Sequence, residues 1–137
     1  MSERKQNKKI DKRAPVIVGV GDLVDRSKED GLNPQELLAK ACEHAIQDSG
    51  IKELSKHIDY VGVVRFTVDF LTATNQSNFQ YSNFPRTLAN KLDVSANHEV
   101  YAPMGGNSPQ VLLEDALVKI SAGETDCALL TGGEALQ

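Results

Sequence analysis

The sequence predicts an α/β domain with a largely parallel sheet. Four apolar runs of strand character alternate along the chain with segments of helical periodicity, and glycines follow most of these runs. Such alternation favours parallel pairing, because each helix returns the chain to the same edge of the sheet. With 137 residues the chain has room for one hydrophobic core, so we expect a single domain.

The first strand and the first helix are predicted from the segment before residue 51. The run "APVIVGVGD" (14–22) is apolar and ends in glycines, as is typical of a buried strand and the loop after it. A helix follows, with Asn33 as its N-cap, Pro34 at its first position and Gly50 just after its end. Its apolar side chains share one face, which predicts one buried side: Leu37, Leu38, Ala41, Cys42, Ala45 and Ile46.

The middle of the chain predicts two further strands. "IDYVGVVRF" (58–66) is rich in β-branched and aromatic residues, and "HEVYAPM" (98–104) has the same character. Between them, residues 67–83 are polar and without period, which predicts a long surface loop of the kind that is often functional. Residues 85–92 follow as a short helix with Pro85 in its first turn.

The last predicted helix begins at Ser108, taken as its N-cap, with Pro109 in the first turn. Val111 and Val118 project from the side opposite its main apolar stripe, so we expect other parts of the protein to pack against this helix on two sides. The stripe consists of Leu112, Leu113, Ala116, Leu117 and Ile120. A fourth strand (126–134) follows and the chain then ends, so we expect an incomplete structural unit.

Charge divides the chain into a basic tail and an acidic body. Residues 1–13 carry six Lys or Arg against two acidic residues, which is a net charge of +4. Because the whole chain carries −4, residues 14–137 carry −8. An acidic body is not typical of a nucleic-acid platform. The tail (1–13) is interpreted as a disordered, solvated terminus before a domain at 14–137, with an electrostatic contact to RNA or acidic lipid as the alternative.

Other functional classes find little support. No segment approaches the roughly 20 apolar residues of a membrane span, and we do not expect the basic tail to be a secretory signal, because no apolar h-region follows its charges. Cys42 and Cys127 have neither disulfide nor metal-ligand spacing, so we expect inert core thiols, no metal and a reducing cytoplasm. His44, His57 and His98 are interpreted as surface or boundary residues.

Two glycine motifs suggest binding sites. "IVGVGDLV" begins like a dinucleotide fingerprint, but Val24 stands at the third glycine position and Asp22 would repel a pyrophosphate. The turn "MGGNSP" precedes a helix N-terminus, where free N–H groups favour a thiolate, a carboxylate or a thioester oxygen. The alternative is that Gly105 and Gly106 only permit a tight turn.

Three landmarks resemble the N-terminal half of the thiolase superfamily, near the acetyl-CoA acetyltransferase-like members: "PVIVGVGDLVDRS", "YAPMGGNSPQ" and "KISAGETDCALLTGGEAL". The resemblance implies a thiolase-like half with a mixed, largely parallel sheet and flanking helices. It also implies a homodimer through the strand at 98–104, acyl-CoA as substrate or ligand, no covalent cofactor and a role in lipid metabolism. A second, C-terminal thiolase half would be the further partner.

The same resemblance implies acyl transfer through a cysteine at the N-terminus of the last helix, where the dipole favours a thiolate. The family spacing places that cysteine at position 106, which is Gly106 in this chain. A one-residue slip would place it at Gly105 or Asn107, and neither is a cysteine. The other catalytic residues, a His and a second Cys, would belong to the C-terminal half.

The leading hypothesis is therefore the N-terminal portion of a thiolase-like acetyl-CoA acetyltransferase, inactive alone, with no catalytic residue of its own. Its substrate-binding residues would be Met104, Gly105, Gly106, Asn107 and Ser108. The alternative is a non-catalytic acyl-CoA-binding or dimerisation module.

Overall fold

A computed structural model describes residues 11–26, 31–67 and 82–134. The tail at 1–10, most of the predicted loop at 67–83 and the last three residues lie outside the described residues. Three helices and three strands form in the described part, with a short 3₁₀ turn at Leu54–His57. The helices are α1 (Pro34–Asp48), α2 (Phe84–Lys91) and α3 (Ser108–Ala122), and the strands are β1 (Tyr60–Val64), β2 (His98–Ala102) and β3 (Ala128–Thr131).

The three strands form a parallel sheet in the order β2-β1-β3. Tyr60 lies opposite His98 on one side and opposite Ala128 on the other. The predicted α/β class with a largely parallel sheet is thus confirmed. Since β1 is central, both its edges are paired, whereas β2 and β3 each have one outer edge without a partner among the described strands.

Helix α1 is confirmed with the predicted ends. The Asn33 side chain accepts from the Glu36 N–H at 2.9 Å, while the Glu36 carboxylate accepts from the Asn33 N–H at 3.2 Å, which forms a capping box. Pro34 lies in the first turn, and Gly50 follows the helix with φ +65°. The left-handed conformation at Gly50 is one that glycine adopts without a steric penalty.

The main core lies between the sheet and the pair α1 and α2. Val61 and Val63 of β1 are fully buried there, together with Leu38 of α1 and Leu88 of α2. Phe66 and Phe84 meet edge to face, with ring centroids 4.7 Å apart. This cluster covers one face of the sheet, and α3 covers the other through Leu112 and Ala116.

The predicted first strand, 14–22, is wrong, because these residues belong to no strand. Ile17 is 80% exposed and Val16 is 76% exposed. Within the described chain no backbone hydrogen bond joins this segment to β3, the strand it faces. A strand needs a neighbour about 4.8 Å away, and here a cavity of about 1030 Å³ separates the two.

The glycines of this segment serve packing on α1, which corrects their interpretation as a strand-to-loop turn. A Cβ on Gly19 would lie 2.2 Å from the Ala45 carbonyl oxygen, and one on Gly21 would lie 2.3 Å from that of Ala41. The segment is also anchored by the Val20 N–H, which donates to Asp48 at 2.9 Å. Glycine is therefore required for close backbone approach, and not for a phosphate.

Asp59 joins the amino ends of the three strands. Its carboxylate accepts from the N–H groups of Asp126 (3.0 Å) and Cys127 (3.2 Å), just before β3. Its carbonyl oxygen accepts from the N–H groups of Asn97 (2.8 Å) and His98 (3.0 Å), at the start of β2. One residue thus sets where both outer strands begin beside β1.

We predict that Asp59→Ala lowers the free energy of unfolding by about 1.5–3 kcal/mol, the range of hydrogen bonds to a charged group. Asp59→Asn keeps one acceptor oxygen and should lose less. Urea denaturation of the variants measures the difference. Asp126→Ala, which removes an exposed neighbouring carboxylate, is the control and should stay within about 0.5 kcal/mol of wild type. A loss in Asp126→Ala as large as in Asp59→Ala would contradict this role.

Candidate active site at the carboxyl edge of the sheet

The carboxyl ends of the three parallel strands meet at one edge of the sheet. Three segments lie there: residues 65–67 after β1, residues 103–107 after β2 and residues 132–134 after β3. In open α/β sheets this edge is where ligands bind, because loops and helix N-termini converge on it. The predicted "MGGNSP" turn therefore lies where the fold class expects a site.

Ser108 stabilises the turn at residues 103–107 through two hydrogen bonds to its backbone. It is buried, its hydroxyl donates to the Pro103 carbonyl oxygen at 2.5 Å, and its N–H donates to the Gly105 carbonyl oxygen at 3.0 Å. The prediction of Ser108 as N-cap is wrong, since the N-cap is Asn107, whose side chain makes no capping bond. The Ser108 hydroxyl is used to close the turn and so does not face an incoming ligand.

The outer surface of the turn is open. Residues 104–107 are all exposed, and Met104 is 50% exposed. A Cβ built on Gly106 would have nothing within 4 Å, whereas one on Gly105 would lie 3.1 Å from Asn107 Oδ1. Neither glycine has a positive φ. The backbone at Gly106 is thus accessible to another molecule, and a side chain there would be tolerated.

Backbone donors are available at the same place. With the described residues, the N–H groups of Gly106 and Asn107 form no backbone hydrogen bond. They precede α3, whose first turn carries the positive end of the helix dipole. This arrangement is suited to stabilise a carboxylate, a thiolate or the oxygen of a thioester.

The architecture around this turn matches a known structure. A monomeric SCP2-thiolase-like protein type 1 from Mycobacterium smegmatis is similar to this chain, with a TM-score of 0.74 and 33% sequence identity. The similarity covers 91% of this chain and 24% of that chain. The chain has a thiolase-like fold.

This thiolase-like domain spans about a quarter of that relative's length. No model of a known protein family matches it, and no curated protein does.

Two residues at the edge of the thiolase-like domain were missed by sequence reasoning. The Thr67 N–H and hydroxyl both donate to one Glu134 oxygen, at 2.8 and 2.7 Å. This contact ties the end of β1 to the end of β3. Glu134 belongs to the landmark "KISAGETDCALLTGGEAL" and is the last residue of the predicted fourth strand (126–134), and its position at the carboxyl end of that strand was the signal that could have found it.

A cationic side chain also lies at this edge. The Arg65 guanidinium stacks over the Tyr101 ring, 4.3 Å from its centroid. The Tyr101 hydroxyl lies 3.5 Å from the Phe66 N–H, so it anchors the chain after β1. Because Arg65 directly follows β1, it supplies a positive charge at the same edge of the sheet as the glycine turn.

The native cysteines lie away from this turn. Burial raises the pKa of the Cys42 thiol to about 11 and also raises the pKa of Cys127, where Asp59 and Asp126 add to the effect. Cys42 is on α1 and Cys127 precedes β3. Both are protonated at neutral pH, as their interpretation as inert thiols requires.

The histidines are at surface or boundary positions, as predicted. His44 is exposed, with its Nδ1 3.0 Å from the Asp22 carbonyl oxygen, His57 is exposed, and His98 is half-buried at the start of β2. None of the three lies in the segments that form the carboxyl edge. The described residues thus bring no histidine to the glycine turn.

A polar cluster lies at the amino edge, at the opposite ends of the strands. The Tyr60 hydroxyl donates to Asp115 at 2.8 Å, and Lys119 donates to the same carboxylate at 3.0 Å. These two contacts lower the pKa of Asp115, the Tyr60 bond most, while burial raises that of Tyr60. The cluster joins α3 to β1.

Within residues 11–26, 31–67 and 82–134, no group of three or more His, Cys, Asp or Glu side chains is placed to hold a metal ion. Of the helices described, none is both long and apolar enough to cross a membrane.

We predict that the native thiols react slowly with iodoacetamide at pH 7–8, whereas a cysteine introduced by Gly106→Cys reacts readily. Ser121→Cys is the matched control, because it is exposed at the other end of the same helix, where the dipole disfavours a thiolate. The pH of half-maximal alkylation should be lower for Gly106→Cys than for Ser121→Cys by about one unit. Identical pH profiles would show that the turn does not stabilise a negative charge.

Proposed function

We propose that this chain is the acyl-CoA-facing portion of a thiolase-like acetyl-CoA acetyltransferase, with coenzyme A thioesters as its ligands. The observation that carries the proposal is the accessible backbone at Gly106, on the carboxyl edge of the sheet just before α3. There the N–H groups of Gly106 and Asn107 form no backbone hydrogen bond with the described residues. The similarity to an SCP2-thiolase-like protein supports it. A cytoplasmic location and a role in lipid metabolism belong to the same proposal.

In this proposal each residue either binds the ligand or holds the turn in position. Met104, Gly105, Gly106 and Asn107 form the exposed surface that would meet the thioester, and the N–H groups of Gly106 and Asn107 would donate to its oxygen. Ser108 acts indirectly, because its hydroxyl fixes the turn through Pro103. Arg65 would attract the anionic part of the ligand.

The chemistry of this portion alone would stop at binding. No thiol lies at the turn, and the two native cysteines have raised pKa values. A nucleophile for acyl transfer needs a lowered pKa or an adjacent base. These facts favour the second candidate, a non-catalytic acyl-CoA-binding module, as the behaviour of the isolated chain.

We predict that calorimetry detects binding of acetyl-CoA to the isolated chain, and that Gly106→Leu weakens it at least tenfold. The added side chain projects into open space, so it blocks ligand approach without a clash in the fold. Ser121→Leu, exposed on the last turn of α3, is the control with the same added bulk. Thermal melts of both variants should match wild type.

The same preparation should catalyse no thiolysis of acetoacetyl-CoA. Heat from neither acetyl-CoA nor free coenzyme A would contradict acyl-CoA binding. Turnover by this chain alone would instead contradict its proposed catalytic incompleteness.

A homodimer is also proposed, through the outer edge of β2. That edge pairs with no described strand, and exposed apolar side chains elsewhere, such as Val118 at 61%, favour association. Light scattering should therefore give twice the mass of 14.9 kDa. A monomer that also fails to bind a hydrophobic dye would contradict this expectation.

A further inference from the structure

The segment before α1, residues 13–21, is attached at its two ends and not along its length. Among the described residues, no hydrogen bond involves residues 15–19, and the side chains of Val16 and Ile17 are 76% and 80% exposed. Holding a segment in one conformation costs entropy that contacts must offset. The position of this segment therefore depends on the contacts at its ends.

Helix α1 holds the carboxyl end of the segment. The Val20 N–H donates to Asp48 at 2.9 Å, and the backbone at Gly19 and Gly21 lies against the carbonyl oxygens of Ala45 and Ala41. These contacts are made by backbone atoms packed too closely for any side chain. Residues 19–21 are thus fixed on α1.

Arg13 holds the amino end of the segment on α3. Its guanidinium donates from Nη1 to the Ile120 carbonyl oxygen at 3.2 Å. The same group lies over the backbone of Gly123, because a Cβ built on Gly123 would be 2.8 Å from Arg13 Cζ. One exposed side chain therefore joins two parts of the chain that are 107 positions apart in sequence.

The surroundings of Arg13 favour this contact. The Asp11 carboxylate accepts from the Arg13 N–H at 2.9 Å, and the Asp11 carbonyl oxygen accepts from the Ala14 N–H at 3.1 Å, so a turn fixes the backbone that carries the guanidinium. Ile120 lies in the last turn of α3, where the helix dipole favours a cation and free carbonyl oxygens need donors. Arg13 thus caps α3 from a distant part of the chain.

Gly123 is the seat of this cap. It is the C-cap residue of α3, with φ +78°, a conformation that favours glycine. Gly50 follows α1 with a similar φ of +65°, but a Cβ built there would have no neighbour within 4 Å. The two glycines share the same backbone requirement and differ in the presence of Arg13.

We propose that residues 13–21 form a strap that Arg13 latches onto α3. In the closed state the guanidinium on Gly123 fastens the strap, and in the open state residues 13–18 move away about Gly19 while α1 retains residues 19–21. Residues 13–21 form one wall of the cavity of about 1030 Å³, so the latch determines whether that wall is in place. The inference does not use acyl-CoA binding, and the two proposals succeed or fail separately.

The test is cleavage by trypsin after Arg13. The protease takes the guanidinium into its own specificity pocket, so cleavage requires an open latch and its rate reports the open fraction. Gly123→Ala places a methyl group where the guanidinium lies, and the flexible end of the arginine side chain is displaced while the backbone stays. The product that begins at Ala14, measured by mass spectrometry, should then form about tenfold faster than in wild type.

Gly50→Ala is the matched control. It introduces the same strain at a positive φ, but the added methyl group meets no other atom, so cleavage after Arg13 should stay at the wild-type rate. Lys91, the last residue of α2, reports general unfolding because it lies away from both glycines. Cleavage after Lys91 should be equally fast in the two variants.

A double-mutant cycle gives a second measurement that does not use the protease. Gly123→Ala should lower the melting temperature more than Gly50→Ala does, and this excess should vanish in an Arg13→Ala background, where the seat has no occupant. Arg13→Lys keeps the charge but not the planar group, so it should retain only part of the excess.

Three outcomes would overturn the proposal. Equal cleavage after Arg13 in the two glycine variants would show that Arg13 is not held on Gly123. An excess that persists in the Arg13→Ala background would show that Gly123 acts without Arg13. Faster cleavage after Lys91 in Gly123→Ala alone would assign the effect to unfolding of the domain and not to a latch.

Discussion

The fold depends on the position of β1, which is held at both ends by carboxylates. At the amino end Asp59 binds the chain before β3 through its side chain and the chain before β2 through its carbonyl oxygen. At the carboxyl end Glu134 accepts from the N–H and hydroxyl of Thr67. Parallel strands that are far apart in sequence need such contacts, because no short turn sets their register.

This register determines what the site can be. Since β1 and β2 end together, the chain must leave β2 at the carboxyl edge and turn back into α3, and the Ser108 hydroxyl closes that turn onto Pro103. The first N–H groups of α3 are consequently presented at the same edge of the sheet as Arg65 and Glu134. The binding proposed at Gly106 would thus depend on sheet register and helix direction more than on the glycine itself.

The sequence predicted the elements whose signals are local. Asn33 with Glu36 defines the start of α1, and the β-branched runs of β1 and β2 need only period and composition to be recognised. The position of the glycine turn at a helix N-terminus follows from the same local pattern. Two predictions failed because they depend on neighbours: residues 14–22 form no strand, and Ser108 bonds to Pro103 and does not cap the helix. A short stretch of sequence does not show whether residues 14–22 have a strand to pair with, nor which backbone group the Ser108 hydroxyl will contact.

The failed strand at 14–22 and the exposed half of α3 have one physical origin. A β-branched segment becomes a strand only when its peptide groups find partners, and the edge of β3 lies across a cavity from it. The stripe of α3 is buried only where a sheet lies beneath it, so Leu112 and Ala116 over β1 are covered while Leu113 and Leu117 over the cavity are not. Full burial of a side chain such as Leu or Ile contributes about 1.5–3 kcal/mol. Each uncovered leucine on this stripe therefore lacks part of that contribution, and the pattern of exposure along the helix is more informative about the fold than any one of its residues.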